Sequence, residues 1–79
     1  MKDFLEYIVK NLVDRPEAVH IKEIEGTNTL ILELQVAQPD IGKIIGKEGK
    51  TIKAIRSLLV SVASRNNLKV SLEIIEDKR

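Results

Sequence analysis

Gly46-Lys47-Glu48-Gly49, a G-x-x-G within the run DIGKIIGKEGKTIKAIR (40–56), is the stretch best suited to binding another molecule. Two glycines three positions apart are poor helix material, each about 1 kcal/mol worse than alanine. They fit where the main chain turns sharply and another molecule comes close to it. Asp40 reads as the N-cap of a short helix over about Ile41 to Ile45. Lys50 then opens a long periodic helix, whose first N–H groups lack partners and aim into the loop with the positive end of the helix dipole behind them. Such a place suits a phosphate.

Charge gathers at the same place. Lys43, Lys47, Lys50, Lys53 and Arg56 meet one acid, Glu48, within residues 43–56, a local charge of +4 in a chain whose formal total is +1. The remainder sums to −3, so the pattern is a local anion site and not a generally basic protein.

Other chemistries find no foothold. With no cysteine there is no disulfide, thiolate metal site or thiol nucleophile, and the one histidine, His20, reads as an exposed strand residue. No carboxylates pair as acid and base and no serine has a nearby base, so no catalytic residue, metal or cofactor is expected. The segment GKEGKT (46–51) looks like the end of a nucleotide-hydrolase phosphate loop. That motif, G-x-x-x-x-G-K-[ST], would need its first glycine at position 44, which is Ile44.

The helices and strands around the loop follow from periodicity. Phe4, Leu5, Ile8, Val9, Leu12 and Val13 recur at helical spacing, predicting a helix over about 2–14. Asp14-Arg15-Pro16 ends it, because a residue before proline avoids the helical region. AVHIKEIE (18–25) is a strand with imperfect alternation, read with a bulge near its end. Glu25-Gly26-Thr27-Asn28 is a tight hairpin turn. Leu30, Leu32, Leu34 and Val36 alternate cleanly in a second strand over 29–37.

The long helix covers about 50–65 with Ile52, Ile55, Leu58, Leu59, Val62 and Ala63 on its core side, and Arg65-Asn66-Asn67 ends it. A third strand runs from Leu68 to about residue 76, followed by a charged Asp77-Lys78-Arg79 tail. Strands flanking an α-α crossover should lie parallel with a right-handed connection, while the hairpin makes the first two antiparallel. The expectation is an α+β fold of order αββααβ: a three-stranded mixed sheet with three helices packed on one face. Its other face carries Ile31, Glu33, Gln35, Lys69, Ser71 and Glu73.

Seventy-nine residues make one domain, 1–79, burying roughly 60–65% of its unfolded surface, so a partner subunit would help. Hydrophobic content of 43% and charged content of 32% are those of a globular domain. No apolar run approaches the roughly 20 residues of a membrane span. The opening MKDFLEYIVK lacks the layout of a signal peptide, so the expected location is cytoplasmic.

The run IIGKEGKTI (44–52), set between helices in an αββααβ order, resembles the type II (bacterial) KH domain, in its stand-alone form, over the whole chain. The resemblance implies single-stranded RNA binding, the loop clamping about four nucleotides of backbone. Carried over by position, Gly46 and Gly49 admit phosphates to the main chain and Lys47 supplies charge. Glu48 departs from a fully basic loop. Lys43, Lys50, Lys53 and Arg56 add cations, and Ile45, Ile52 and Ile55 would floor a groove walled by the central or third strand. Aromatic content of 3%, only Phe4 and Tyr7, argues against stacking, which contributes about 1–3 kcal/mol per base elsewhere. Binding should be weak and salt-sensitive.

Ser57, Val60, Ser61 and Ser64 lie together on the helical wheel away from the core stripe. They read either as a mildly polar solvent face or as a helix-to-helix dimer contact, since short side chains permit close approach. The resemblance implies homodimers and pairing with a larger KH-containing protein, with a role as RNA chaperone or post-transcriptional regulator linked to growth, cell shape and cell division. The rival expectation is a protein–protein scaffold that recruits its partner and binds little RNA.

Overall fold

The computed structural model describes residues 1–75; the expected end of the last strand at 76 and the Asp77-Lys78-Arg79 tail lie outside the described residues. Helix α1 (Lys2–Lys10) buries Leu5 and Val9 and stops earlier than its periodicity predicts. The Leu12 and Val13 amides both donate to the Val9 carbonyl, at 2.9 and 3.2 Å, and the Asn11 side chain donates to the Tyr7 carbonyl at 2.7 Å. This tightened last turn buries Val13 and leaves Leu12 at the surface. A 3₁₀ turn, Pro16–Ala18, then leads into strand β1 (His20–Glu25), with Val19 buried just ahead of it.

Strand β1 pairs antiparallel with β2 (Thr29–Gln35), residue for residue from His20–Gln35 to Glu25–Leu30. The expected bulge is therefore absent. Ile24 broke the predicted alternation because it belongs to the open face of the sheet, opposite Ile31, and no register change is needed to place it there. The hairpin closes as expected, with the Gly26 amide donating to the Thr29 carbonyl at 2.9 Å. Leu30, Leu32 and Leu34 of β2 all face the core.

Gln38–Asp40 is a second 3₁₀ turn, followed by helix α2 (Ile41–Ile45). Asp40 has helical backbone angles and makes no side-chain capping bond to α2, which corrects its assignment as an N-cap. Its carboxylate is committed elsewhere, to the connection between α1 and β1. A third short turn, Lys47–Gly49, joins α2 to helix α3 (Lys50–Arg65).

Helix α3 buries Ile52, Ile55, Leu59 and Ala63, whereas Val62 is half-buried and Leu58 is 49% exposed. The apolar stripe is thus narrower than the sequence suggests, and Leu58 lies on its flank. The helix ends in a Schellman motif: the Leu68 amide donates to the Ala63 carbonyl and the Asn67 amide to the Ser64 carbonyl. Asn67, in the left-handed region at φ 57, turns the chain into β3 (Lys69–Ile75).

Strand β3 pairs parallel with β2, giving the order β1-β2-β3 and the mixed sheet expected of an α-α crossover. Leu5, Val9, Leu32, Leu34, Ile44 and Leu59 are sealed between sheet and helices. Among the described residues, no helix is long and apolar enough to cross a membrane.

Candidate nucleic-acid interface

The glycine segment is held open by its own backbone. Gly46 has φ 75 and ψ 176, a region only glycine enters freely, and Gly49 is left-handed at φ 73 and ψ 14. Glu48 between them is also left-handed, at φ 58 and ψ 24, a conformation that disfavours a side chain by about 1–2 kcal/mol. Gly46 is required for a second reason. A Cβ there would stand 2.6 Å from Thr51 Cβ and 2.9 Å from Thr51 N, so the loop lies directly against the start of α3. At Gly49 the same addition meets nothing within 4 Å among the described residues. One glycine is needed for packing, the other faces open space.

The amides differ from the expectation of a free helix start. Gly46 N–H donates to the Gly42 carbonyl at 2.9 Å, Gly49 N–H to the Gly46 carbonyl at 3.2 Å, and Lys50 N–H to the Lys47 carbonyl. Those of Lys47 and Glu48 precede the first bond of this 3₁₀ turn and are not used by it. The Lys50 amide at the start of α3 is thus already engaged, while those of the two residues between the glycines are outside the turn's own bonds.

Lys47, Glu48 and Lys50 are exposed, and Lys50 reaches Glu48 only at 4.0 Å. An exposed pair of this kind contributes little and yields readily to a phosphate. Lys53, Arg56 and Val60 follow at spacings of three and four, so they share one side of α3 leading away from the loop. Arg56 Nη2 donates to the Leu72 carbonyl of β3 at 3.4 Å.

Beside Arg56 a cavity of about 250 Å³ opens between α3 and β3, lined by Leu59, Val60, Val70, Ser71 and Leu72 as well. It supplies the apolar lining that was expected from Ile45, Ile52 and Ile55. Ile52 and Ile55 are 8% and 3% exposed and belong to the core, while Ile45, at 38%, remains at the surface. The wall expected of the third strand is met here by Val70 and Leu72, which face the core side of β3, and by Ser71, which pairs with Ile31 on the open face and reaches the cavity at the sheet edge. Ser57, Val60, Ser61 and Ser64 are all exposed, as a strip on α3 requires, and Val60 also lines the cavity.

Lys43 is placed differently from its fellow cations. Its ammonium hydrogen-bonds the Asp14 carboxylate and lies 3.6 Å from Asp40 Oδ1. The bond to Asp14 raises its pKa above 10.5 despite partial burial. Asp40 is 1% exposed and accepts the amides of Asp14 and Arg15 at 3.2 and 3.1 Å. Burial alone would raise its pKa, but those two amides and Lys43 outweigh it and hold the carboxyl below its usual 3.8.

Known proteins are similar to this chain over nearly all of its length. A protein of Chlamydia caviae called RNA-binding protein KhpA is 82% identical over 78 residues, covering 99% of this chain and all of its own. Relatives of the same name from Clostridium perfringens and Borreliella burgdorferi are 49% and 47% identical over 75 and 74 residues. They match 95% and 94% of this chain and 100% and 90% of their own lengths. The family model described as KhpA/KhpB, KH domain, matches residues 2–74. With the αββααβ order, the mixed sheet and the glycine loop between α2 and α3, the chain belongs to the KhpA/KhpB family of KH domains.

Proposed function

We propose that this chain is a single-domain, non-enzymatic RNA-binding module of the cytoplasm that holds single-stranded RNA by its sugar–phosphate backbone. The observation that carries the reading is the loop itself: left-handed Glu48 and Gly49 leave the Lys47 and Glu48 amides outside the turn's own bonds, with open space over Gly49. Lys47, Lys50, Lys53 and Arg56 are the cations that meet phosphates, and bases lie along Ile45 and the α3–β3 cavity. With so few aromatic residues, affinity depends on charge and falls with salt, log K changing by about 0.7 per phosphate for each log unit of salt.

The name shared by the relatives supports RNA as the ligand, and the KhpA/KhpB description supports a larger KH protein of the KhpB kind as a partner. In this reading the protein acts as an RNA chaperone or post-transcriptional regulator in growth and cell division, as a homodimer or paired with that protein. The exposed strip of Ser57, Val60, Ser61 and Ser64 favours a second reading, in which α3 chiefly recruits a protein.

The test is the double variant Lys47→Asp, Glu48→Asp. Aspartate tolerates the left-handed region, so the fold is retained. Reversing one charge about 6 Å from a phosphate in water weakens binding roughly tenfold. Retention of a labelled single-stranded RNA should fall by at least that factor while partner binding survives. Parent-like RNA binding by the folded variant rules the clamp out.

A further inference from the structure

Among the described residues, Asp40 is the one charged side chain that is buried. A buried carboxylate is retained only where its oxygens are satisfied, and here each takes one of two successive amides, Asp14 to Oδ1 and Arg15 to Oδ2. Those amides belong to the connection between α1 and β1, 26 and 25 residues earlier. Lys43, one turn further along, spans Asp14 and Asp40 and closes the group. Among the described residues no acceptor other than Asp40 is seen for the two amides, so an apolar residue at this position would strand them.

The arrangement bears on the glycine loop because α2 lies between them. A helix of five residues has too few internal hydrogen bonds to fix its own direction. Its direction is set by what anchors it. Ile44, fully buried, anchors its middle, and Asp40 anchors its start. Gly46 follows at its end, its amide bonded to Gly42.

We infer that Asp40 is a positioning residue: by gripping the Asp14 and Arg15 amides and facing Lys43, it sets the direction of α2 and so the placement of the Gly46–Gly49 loop against an RNA strand. The inference rests on the proposed RNA-binding role. Lys43 is then a brace and not a phosphate ligand, although it belongs to the basic cluster by sequence. The clasp also explains why α1 ends at Lys10: the amides of Asp14 and Arg15 are taken by Asp40.

The test compares the parent with Asp40→Asn, Lys43→Gln and Lys50→Gln, using a labelled single-stranded RNA oligonucleotide at several salt concentrations and at a temperature where circular dichroism shows each variant folded. Asp40→Asn keeps one acceptor oxygen and loses the charge. It should weaken RNA binding about fivefold or more and shift the amide NMR signals of Gly46 and Gly49. A role in stability alone would lower the melting temperature and leave the affinity of the folded protein unchanged, and that result overturns the inference.

Lys50→Gln should lower the salt slope by about 0.7, the value for one phosphate contact, whereas Lys43→Gln should leave the slope at the parent value. A drop of about 0.7 for Lys43→Gln makes it a phosphate ligand and also overturns the inference. Failure of the broader reading is recognised separately. If Lys47→Asp, Glu48→Asp still binds RNA, the clamp is wrong. If that variant loses binding while Asp40→Asn binds like the parent, only the positioning role is wrong.

Discussion

Replacing each glycine of the loop by alanine should give opposite outcomes at two positions three residues apart. Gly49→Ala forces a side chain into the left-handed region at φ 73, disfavoured by about 1–2 kcal/mol. The unfolded chain loses freedom as well, which offsets about 0.4–1 kcal/mol. With nothing within 4 Å of the new methyl, the net loss is about 1 kcal/mol. For a domain of this size that corresponds to a melting temperature lower by about 4–8 °C.

Gly46→Ala is disfavoured twice. Its φ of 75 with ψ of 176 is a glycine-only region, of order 1–3 kcal/mol for any other residue. The methyl also meets the main-chain nitrogen of Thr51 at 2.9 Å, which moves only if the start of α3 moves, and overpacking of that kind adds about 1–3 kcal/mol. The sum, about 2–6 kcal/mol before the same unfolded-state offset of about 0.4–1 kcal/mol, is a large part of a small domain's stability, typically about 5–15 kcal/mol. Thermal unfolding followed by circular dichroism at 222 nm should rank parent, Gly49→Ala and Gly46→Ala in that order. Fluorescence anisotropy with labelled single-stranded RNA should show Gly49→Ala, still folded, binding several-fold more weakly, because its methyl occupies the space where a phosphate settles. Equal melting temperatures for the two variants would refute the packing argument. Parent-like RNA affinity for Gly49→Ala would refute close approach at that glycine.

Two further outcomes follow from the same geometry. Asn67→Val places a β-branched residue in the left-handed position that ends α3 and should destabilise by about 1–2 kcal/mol in urea unfolding, whereas Asn67→Gly should lose nothing. Asp40 has a folded pKa below its usual 3.8, so its contribution is complete above the unfolded value and is lost as pH falls through the folded one. The stability gap between parent and Asp40→Asn, measured by urea titration, should therefore be widest near neutrality and close on acidification below about pH 4; a gap that does not vary with pH refutes it.

Much of this protein was legible without coordinates, for identifiable reasons. Alternation in Leu30–Leu34 and the 3.6-residue period of Ile52, Ile55 and Leu59 follow from which face a side chain leaves, a local property of the chain. The mixed sheet followed from connection lengths, since a hairpin makes neighbours antiparallel and a helical crossover makes them parallel. The glycine loop stood out because two glycines inside helical sequence have no purpose unless positive φ or close approach is needed, and Gly46, Glu48 and Gly49 all take positive φ.

The order of elements, the strand directions and the address of the basic loop are properties of neighbours along the chain, and they can be read from it directly. Which members of that cluster are free depends on the folded chain. Lys43 and Lys47 look equivalent by type and spacing, yet Asp14, 29 residues from Lys43, holds one while the other stays exposed. Asp40 had the type and position of a cap but found its donors in a distant connection. Ile52 and Ile55 had the period of either a groove floor or a core, and the packing of α3 on the sheet made them core. In each case the outcome turned on a partner remote in sequence, and such partners meet only when the chain has folded.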